Sequence, residues 1–265
     1  MKCWTSPSEV EMDLLRDILL TRPTIGTWLT LSDPAVAEIM ASAGFDWIVV
    51  DLEHSVLSIE TAGALIRTID LKGVPPLVRL TSNDPDQIKR VLDCGADGVI
   101  VPMVLSADDA KRAVAGTRYP PAGSRGVGLG RAQAYGSGFS EYMSSQSDGL
   151  TVIIQIEHHE AVENLEEILL VQGVSGLFVG PYDLSCSMGI PGQFDNPLYV
   201  KSLERILSVA SQTGMPVGIH IVEPEIAGLE QAFADGFTFV AYGTDFRFLD
   251  VMARQGIAAM GELNR

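Results

Sequence analysis

Along most of this chain, short runs of β-branched and apolar residues alternate with longer stretches whose apolar positions recur every three or four residues. The short runs predict strands at 24–29, 46–51, 75–79, 98–101, 151–156, 175–179, 215–219 and 237–241. The stretches between them predict helices at 33–43, 58–71, 84–94, 106–115, 159–171, 196–213 and 223–235, and another at 8–21 before the first strand. Asp33 before Pro34 and Asp84 before Pro85 supply helix starts, and Gly44, Gly95, Gly116, Gly173 and Gly214 supply stops. Such alternation implies a parallel sheet with right-handed crossovers. Eight repeats in 265 residues favour an α/β fold closed into a (β/α)8 TIM barrel, one domain over 1–265. An open doubly wound sheet fits less well, because Leu31-Ser32-Asp33-Pro34 follows the first strand where a Gly-rich phosphate turn would stand. The one long interruption is 117–148, rich in Gly, Ser, Pro and Tyr.

Charge narrows the function. A net charge of −16 argues against nucleic acid and against an anionic membrane surface. No apolar run reaches the roughly 18 residues of a spanning helix, and residues 1–20 carry no basic-then-apolar leader. Cys3, Cys94 and Cys186 are odd in number and widely spaced, which fits a reduced, cytoplasmic setting and no zinc pattern. The expected partner is a small molecule, and an anionic one needs local positive charge.

In a barrel the chemistry gathers where strands end, because the interior is packed solid. Here the second strand ends in Asp51-Leu-Glu53-His54, the third in Arg79, the fifth in Gln155-Ile-Glu157, and the seventh reaches His220. The sixth is followed by Gly180-Pro-Tyr182-Asp183-Leu-Ser185. Glu157 and Asp183 lie one strand–helix–strand repeat apart, so a parallel sheet brings them to neighbouring strand ends. Paired carboxylates suit a hard divalent cation. Each residue also has a structural reading: a strand-end Asp commonly caps the next helix, a lone Arg commonly pairs with an acid, and Trp28 is either a pocket wall or a core aromatic. Glu53, by strand alternation, is expected to point away from the pocket. His158 and His159 open a helix and read as solvated or supporting.

These residues resemble the HpcH/HpaI aldolases, class II metal-dependent pyruvate aldolases. The resemblance runs from about Gly26 to Gly256. It rests on Gly26-Thr-Trp28, Asp51-Leu-Glu-His54, Val78-Arg79, Tyr119-Pro-Pro121 through Arg125-Gly-Val-Gly128, Gln155-Ile-Glu157 and Gly180-Pro-Tyr-Asp183-Leu-Ser, in that order. It implies reversible aldol cleavage of a 4-hydroxy-2-oxo acid to pyruvate and an aldehyde; an oxaloacetate decarboxylase using the same enolate is the alternative. It further implies that Glu157 and Asp183 ligate Mg2+ or Mn2+ (Co2+ or Zn2+ also being suitable) and that Arg79 hydrogen-bonds the substrate oxygen. His54 is then the general base, acting through a water with Asp51 orienting it, and Gln155 points into the site. Because Pro181 has no N–H, the amides of Tyr182 and Asp183 are expected to take the substrate carboxylate. Tyr182 and His220 depart from the residues usual at those positions; His220 is expected to contact polar groups of the aldehyde. The segment 117–148, with Arg118, Arg125 and Arg131, is either a lid supplying an Arg or a solvated loop whose Arg125 makes structural ion pairs. The family implies a homohexamer with the C-terminal helix exchanged between subunits, for which the apolar residues of 244–260 are suited. Acyl-CoA lyase chemistry lacks a basic cluster for the CoA phosphate. A catalytically silent scaffold is disfavoured because Glu157, Asp183, Arg79 and His54 are all present.

Overall fold

The computed structural model describes residues 14–144 and 149–263. Eight parallel strands close in sequence order: β1 (Thr24–Leu29), β2 (Trp47–Asp51), β3 (Pro76–Arg79), β4 (Gly98–Val101), β5 (Thr151–Ile156), β6 (Gly176–Val179), β7 (Val217–Ile221) and β8 (Phe239–Thr244). The expected (β/α)8 barrel is therefore the fold. Around it run α2 (Pro34–Ala41), α3 (Ile59–Leu71), α4 (Pro85–Asp93), α5 (Ala107–Thr117), α7 (His159–Glu163), α8 (Leu165–Leu169), α9 (Pro181–Ser187), α10 (Pro197–Thr213) and α11 (Ile226–Asp235). Asp33 and Asp84 cap α2 and α4 through their side chains, each ahead of a proline, as the sequence suggests.

Two apolar layers result. Strand residues such as Val50, Val78, Val99 and Ile154 pack outward against the helices. Trp47, Val49, Leu77, Ile100, Ile153, Phe178 and Phe239 fill the barrel interior, and α1 (Leu15–Thr21) adds Leu15 and Leu19 to that cluster. Large rings face small residues across neighbouring strands. A Cβ on Gly26 would fall 2.1 Å from the Trp47 ring, and one on Gly218 would fall 2.4 Å from the Phe239 ring. Those glycines are what let two bulky aromatics share a closed interior.

Some expected boundaries move. Among the described residues of the expected first helix, Leu15–Thr21 is helical; residues 8–13 lie outside the described residues. The expected helix at 159–171 is two, broken at Asn164, whose amide donates to the Leu105 carbonyl at 2.9 Å. Gly116 is no stop: α5 continues through it, and a Cβ there would press to 3.0 Å from the Ile88 methyl of α4.

The segment after α5 settles where its arginines go. Helix α5 returns the chain to the amino-terminal end of the strands, and the segment stays there, with a 3-10 turn at Arg131–Gly136 and α6 (Phe139–Ser144). Residues 145–148 of the expected interruption lie outside the described residues. The Arg125 side chain is 0% exposed and donates to Asp93, at the end of α4, at 2.7 Å and to the Tyr142 hydroxyl at 3.0 Å. Its guanidinium also lies 4.8 Å over the Tyr119 ring. Arg131 pairs with Asp70 near the end of α3. Within its own chain the described part of this segment lies under the barrel, with Arg125 and Arg131 paired to acids at the far ends of the helices. The last helix, α12 (Asp245–Leu263), leaves β8 with Phe246, Leu249, Met252 and Ile257 exposed. No helix among the described residues is long and apolar enough to cross a membrane.

Candidate active site

The register of β2 on β3 sets Asp51 directly beside Arg79, so both side chains leave the barrel on one face at the carboxyl ends of the strands. Asp51 is 2% exposed. It accepts from Arg79 Nε at 2.9 Å and Nη2 at 2.7 Å, and its Oδ1 also accepts the backbone N–H groups of Glu53 at 3.0 Å and His54 at 3.3 Å. One carboxylate thus fixes both the guanidinium and the turn after β2. The Arg79 guanidinium also lies over Trp28, 4.3 Å from the ring centroid. Held at its edge by Asp51 and on its face by Trp28, the guanidinium is positioned before any ligand arrives.

This geometry corrects two expectations. Asp51 does not orient the His54 ring, since its acceptor sites are taken by Arg79 and two backbone amides; it holds His54 only through the backbone. The His54 side chain is 63% exposed, and its nearest acid is Glu53, with Oε2 3.9 Å from Nε2. Glu53, for its part, does not point away. Strand geometry ends at Asp51, so two-residue alternation no longer governs position 53. The Glu53 carboxylate turns inward to 3.4 Å from Arg79 Nε, and its buried Oε2 makes no hydrogen bond. Burial pushes the Glu53 carboxyl up to about 7; Arg79 opposes the shift, while Glu157, Asp51 and Asp183 add to it.

Across the barrel mouth, Glu157 stands just past β5 and is 3% exposed. Its Oε1 accepts the Met103 N–H at 2.7 Å, and its Oε2 accepts from the Gln155 side-chain amide. Met103 has left-handed backbone (φ 51°) in the turn after β4. Burial raises the Glu157 carboxyl above the usual range; the Gln155 and Met103 bonds oppose this, and the Asp183 charge adds to it. Asp183 lies in the first turn of α9 and is exposed to the cavity. The close approach of the two strand ends depends on Gly180, where a Cβ would sit 2.9 Å from Glu157 Cβ and 3.0 Å from Glu157 Oε2.

Seven of the nine expected site residues line one cavity of about 240 Å3: Trp28, His54, Arg79, Gln155, Tyr182, Asp183 and His220. The other two, Asp51 and Glu157, are buried and act on it through Arg79 and Gln155. His220 donates from Nε2 to the Gly243 carbonyl at 2.9 Å and stacks at 5.4 Å on Trp28. Burial pushes its imidazole down to about 4, so it is neutral with Nδ1 as the lone-pair side. Tyr182 is 62% exposed at the mouth, and Phe178, Gly180 and Val222 complete the wall. Sequence reasoning missed Glu53, Gly180 and Met103 as contributors. Each carried a signal: adjacency to His54 and to Pro181 for the first two, and for Met103 its place just past the fourth strand.

A hard cation fits the donors present. Glu157 is a buried acid with no cationic hydrogen-bond partner, a second carboxylate adds to its charge, and Gln155 Oε1 is buried with no partner at all. Elsewhere His158, His159 and Glu160 bring donor atoms within 4.8 Å of one another. There the His158 Nδ1 accepts the Glu160 N–H at 3.3 Å and caps α7, in line with a supporting role.

Comparison with known proteins gives the family. The HpcH/HpaI aldolase/citrate lyase family matches residues 24–249. The chain belongs to that family. It is 41% identical over 240 residues to a 4-hydroxy-2-oxo-heptane-1,7-dioate aldolase of Escherichia coli, covering 90% of each chain. Among solved structures, an HpcH/HpaI aldolase/citrate lyase family protein from Burkholderia cenocepacia J2315 superposes with a TM-score of 0.88 at 32% identity, covering 96% of this chain and 100% of the other. The HpcH/HpaI aldolase from Desulfitobacterium hafniense DCB-2 gives a TM-score of 0.85 at 30% identity, over 95% of this chain and 97% of the other.

Proposed function

We propose that this family member catalyses reversible aldol cleavage of a 4-hydroxy-2-oxo acid to pyruvate and an aldehyde, with Glu157 and Asp183 holding a divalent cation, Mg2+ or Mn2+. The single observation that carries this reading is the clamped Arg79 facing, across one cavity, Asp183 and the buried Glu157, which has no cationic hydrogen-bond partner. When bound, the cation supplies Lewis-acid stabilisation of negative charge developing on the 2-oxo oxygen.

The chain's own residues supply the rest. The backbone amides of Tyr182 and Asp183 take the substrate carboxylate, since Pro181 leaves them as free donors at the start of α9. Arg79 donates to the 2-oxo oxygen, where the electron pair of the breaking C3–C4 bond arrives. His54, directly or through a water, accepts the 4-hydroxyl proton as the aldehyde forms, and a proton is then delivered to C3 to give the pyruvate methyl. Glu53, 3.9 Å from His54 and with its carboxyl pushed up to about 7, is placed to exchange protons with it near neutral pH. No lysine lines the cavity among the described residues, so the groups for a Schiff-base route are missing there. The homohexamer implied by the family belongs to the same proposal, and the exposed apolar residues of α12 support it.

The test supplies Mg2+ and compares pyruvate release from a 4-hydroxy-2-oxo acid with carbon dioxide release from oxaloacetate. Faster turnover of the hydroxy-oxo acid is expected. Decarboxylation alone would replace the aldol reading.

A further inference from the structure

The reading above leaves the aldehyde undefined, and the mouth of the cavity points to its chemistry. Tyr182 and Val222 line the cavity yet keep 62% and 37% of their surface exposed, which puts them at its opening. The Tyr182 ring is held in place: it meets Phe194 edge-on at 5.1 Å, and Phe194 meets Tyr199 at 5.3 Å. Tyr199 is 5% exposed in the apolar layer between the strands and the helices, so three rings run from the mouth into packed core. The Tyr182 hydroxyl makes no hydrogen bond among the described residues, and its ring is a pre-organised apolar surface.

Positive charge at the mouth is scarce. Among the described residues that line the cavity, the charged or titratable bases are Arg79, His54 and His220. Arg79 is committed to Asp51 and His220 is neutral. With Arg79 and His220 so engaged, no lysine or second arginine lines the cavity among the described residues to pair with a carboxylate on the aldehyde. A 1,7-dioate substrate, as in the name of the Escherichia coli relative, releases an aldehyde that ends in such a carboxylate.

We infer that Tyr182 forms an acceptor subsite for an apolar or aromatic aldehyde, with Phe194 as the positioning residue behind it. The inference rests on the aldol chemistry proposed above. In the synthetic direction the aldehyde carbonyl carbon bonds to C3 of the pyruvate enolate, and its oxygen takes up the proton as the new hydroxyl. The aldehyde's substituent then lies along the Tyr182 ring, where losing that contact costs about tenfold in discrimination.

The experiment uses the full chain with Mg2+ and pyruvate and measures kcat/KM for benzaldehyde and for the four-carbon aldehyde ending in a carboxylate, alongside pyruvate methyl-proton exchange in deuterated buffer. Wild type is expected to favour benzaldehyde by at least about tenfold. Tyr182→Ala should remove that preference, chiefly by raising KM for benzaldehyde, and Tyr182→Phe should keep it. Phe194→Ala should raise the same KM, and Phe194→Tyr should restore it. Exchange together with a preference for the carboxylate aldehyde, or an equal loss on both aldehydes in Tyr182→Ala, overturns the subsite alone. No exchange overturns the enolate chemistry and the subsite with it.

Discussion

Replacing Asp51 by Asn tests the clamp on Arg79 most sharply. The Asn side chain keeps nearly the same shape but puts an NH2 where a carboxylate oxygen accepts from Arg79, so one of the bonds at 2.9 and 2.7 Å becomes donor against donor. The Arg79 and Asp51 side chains are only 15% and 3% exposed, so water cannot make up the loss. Breaking one partner of such a pair costs about 3–5 kcal/mol of stability. The guanidinium is also freed to shift against Trp28, and a displacement of about 1 Å at a reacting group lowers turnover roughly a hundredfold. Urea unfolding and metal-dependent methyl-proton exchange of pyruvate read the two effects. A double-mutant cycle then separates the clamp from an Asp51–His54 dyad. Asp51→Asn and Arg79→Ala should be strongly non-additive, whereas Asp51→Asn and His54→Ala should add. Near wild-type exchange in Asp51→Asn, or coupling to His54 instead of Arg79, would refute the clamp.

Gly180→Ala pushes a methyl group to 2.9 Å from Glu157 Cβ, so the carboxylate must shift and Mn2+ affinity by calorimetry should fall about tenfold; an unchanged affinity would remove Glu157 from the metal site. Arg125→Met leaves Asp93 and Tyr142 without their buried partner and should lower unfolding free energy by about 3–5 kcal/mol, with KM for pyruvate unchanged because the segment sits at the opposite barrel end. A rise in that KM would contradict this placement. His220 has its folded value depressed from 6.5 to about 4, so its contribution is complete above pH 6.5 and is lost as pH falls toward 4. Between pH 7.5 and 4.5 the wild type should lose about 3 kcal/mol more than His220→Asn in urea unfolding; parallel losses would show that the imidazole is not buried neutral.

The barrel was readable because a parallel strand buried on both faces is a continuous β-branched run with sharp ends. The strands at 24–29, 98–101 and 151–156 fall where the runs do. The seventh strand starts two residues later than expected, because Pro216 has no N–H to join the ladder and only its carbonyl accepts, from Leu177 at 2.8 Å. That these side chains gather at one cavity was readable from the strand ends, but their pairings were not. That Asp51 meets Arg79 rather than the His54 ring depends on the β2–β3 register, and Glu53 turns inward only because the strand has ended. For the arginines of 117–148 the sequence left a lid and a structural loop both open, and only the return of α5 to the far end of the barrel shows which acids hold Arg125 and Arg131.

The most direct test of the acid pair as a divalent-metal site for enolate chemistry follows the methyl signal of pyruvate by NMR in deuterated buffer. With chelator-treated protein no exchange is expected, and adding Mg2+ or Mn2+ should restore it, while borohydride added with pyruvate leaves the protein mass unchanged. Exchange that persists after chelation, or a covalent pyruvate adduct, would contradict it.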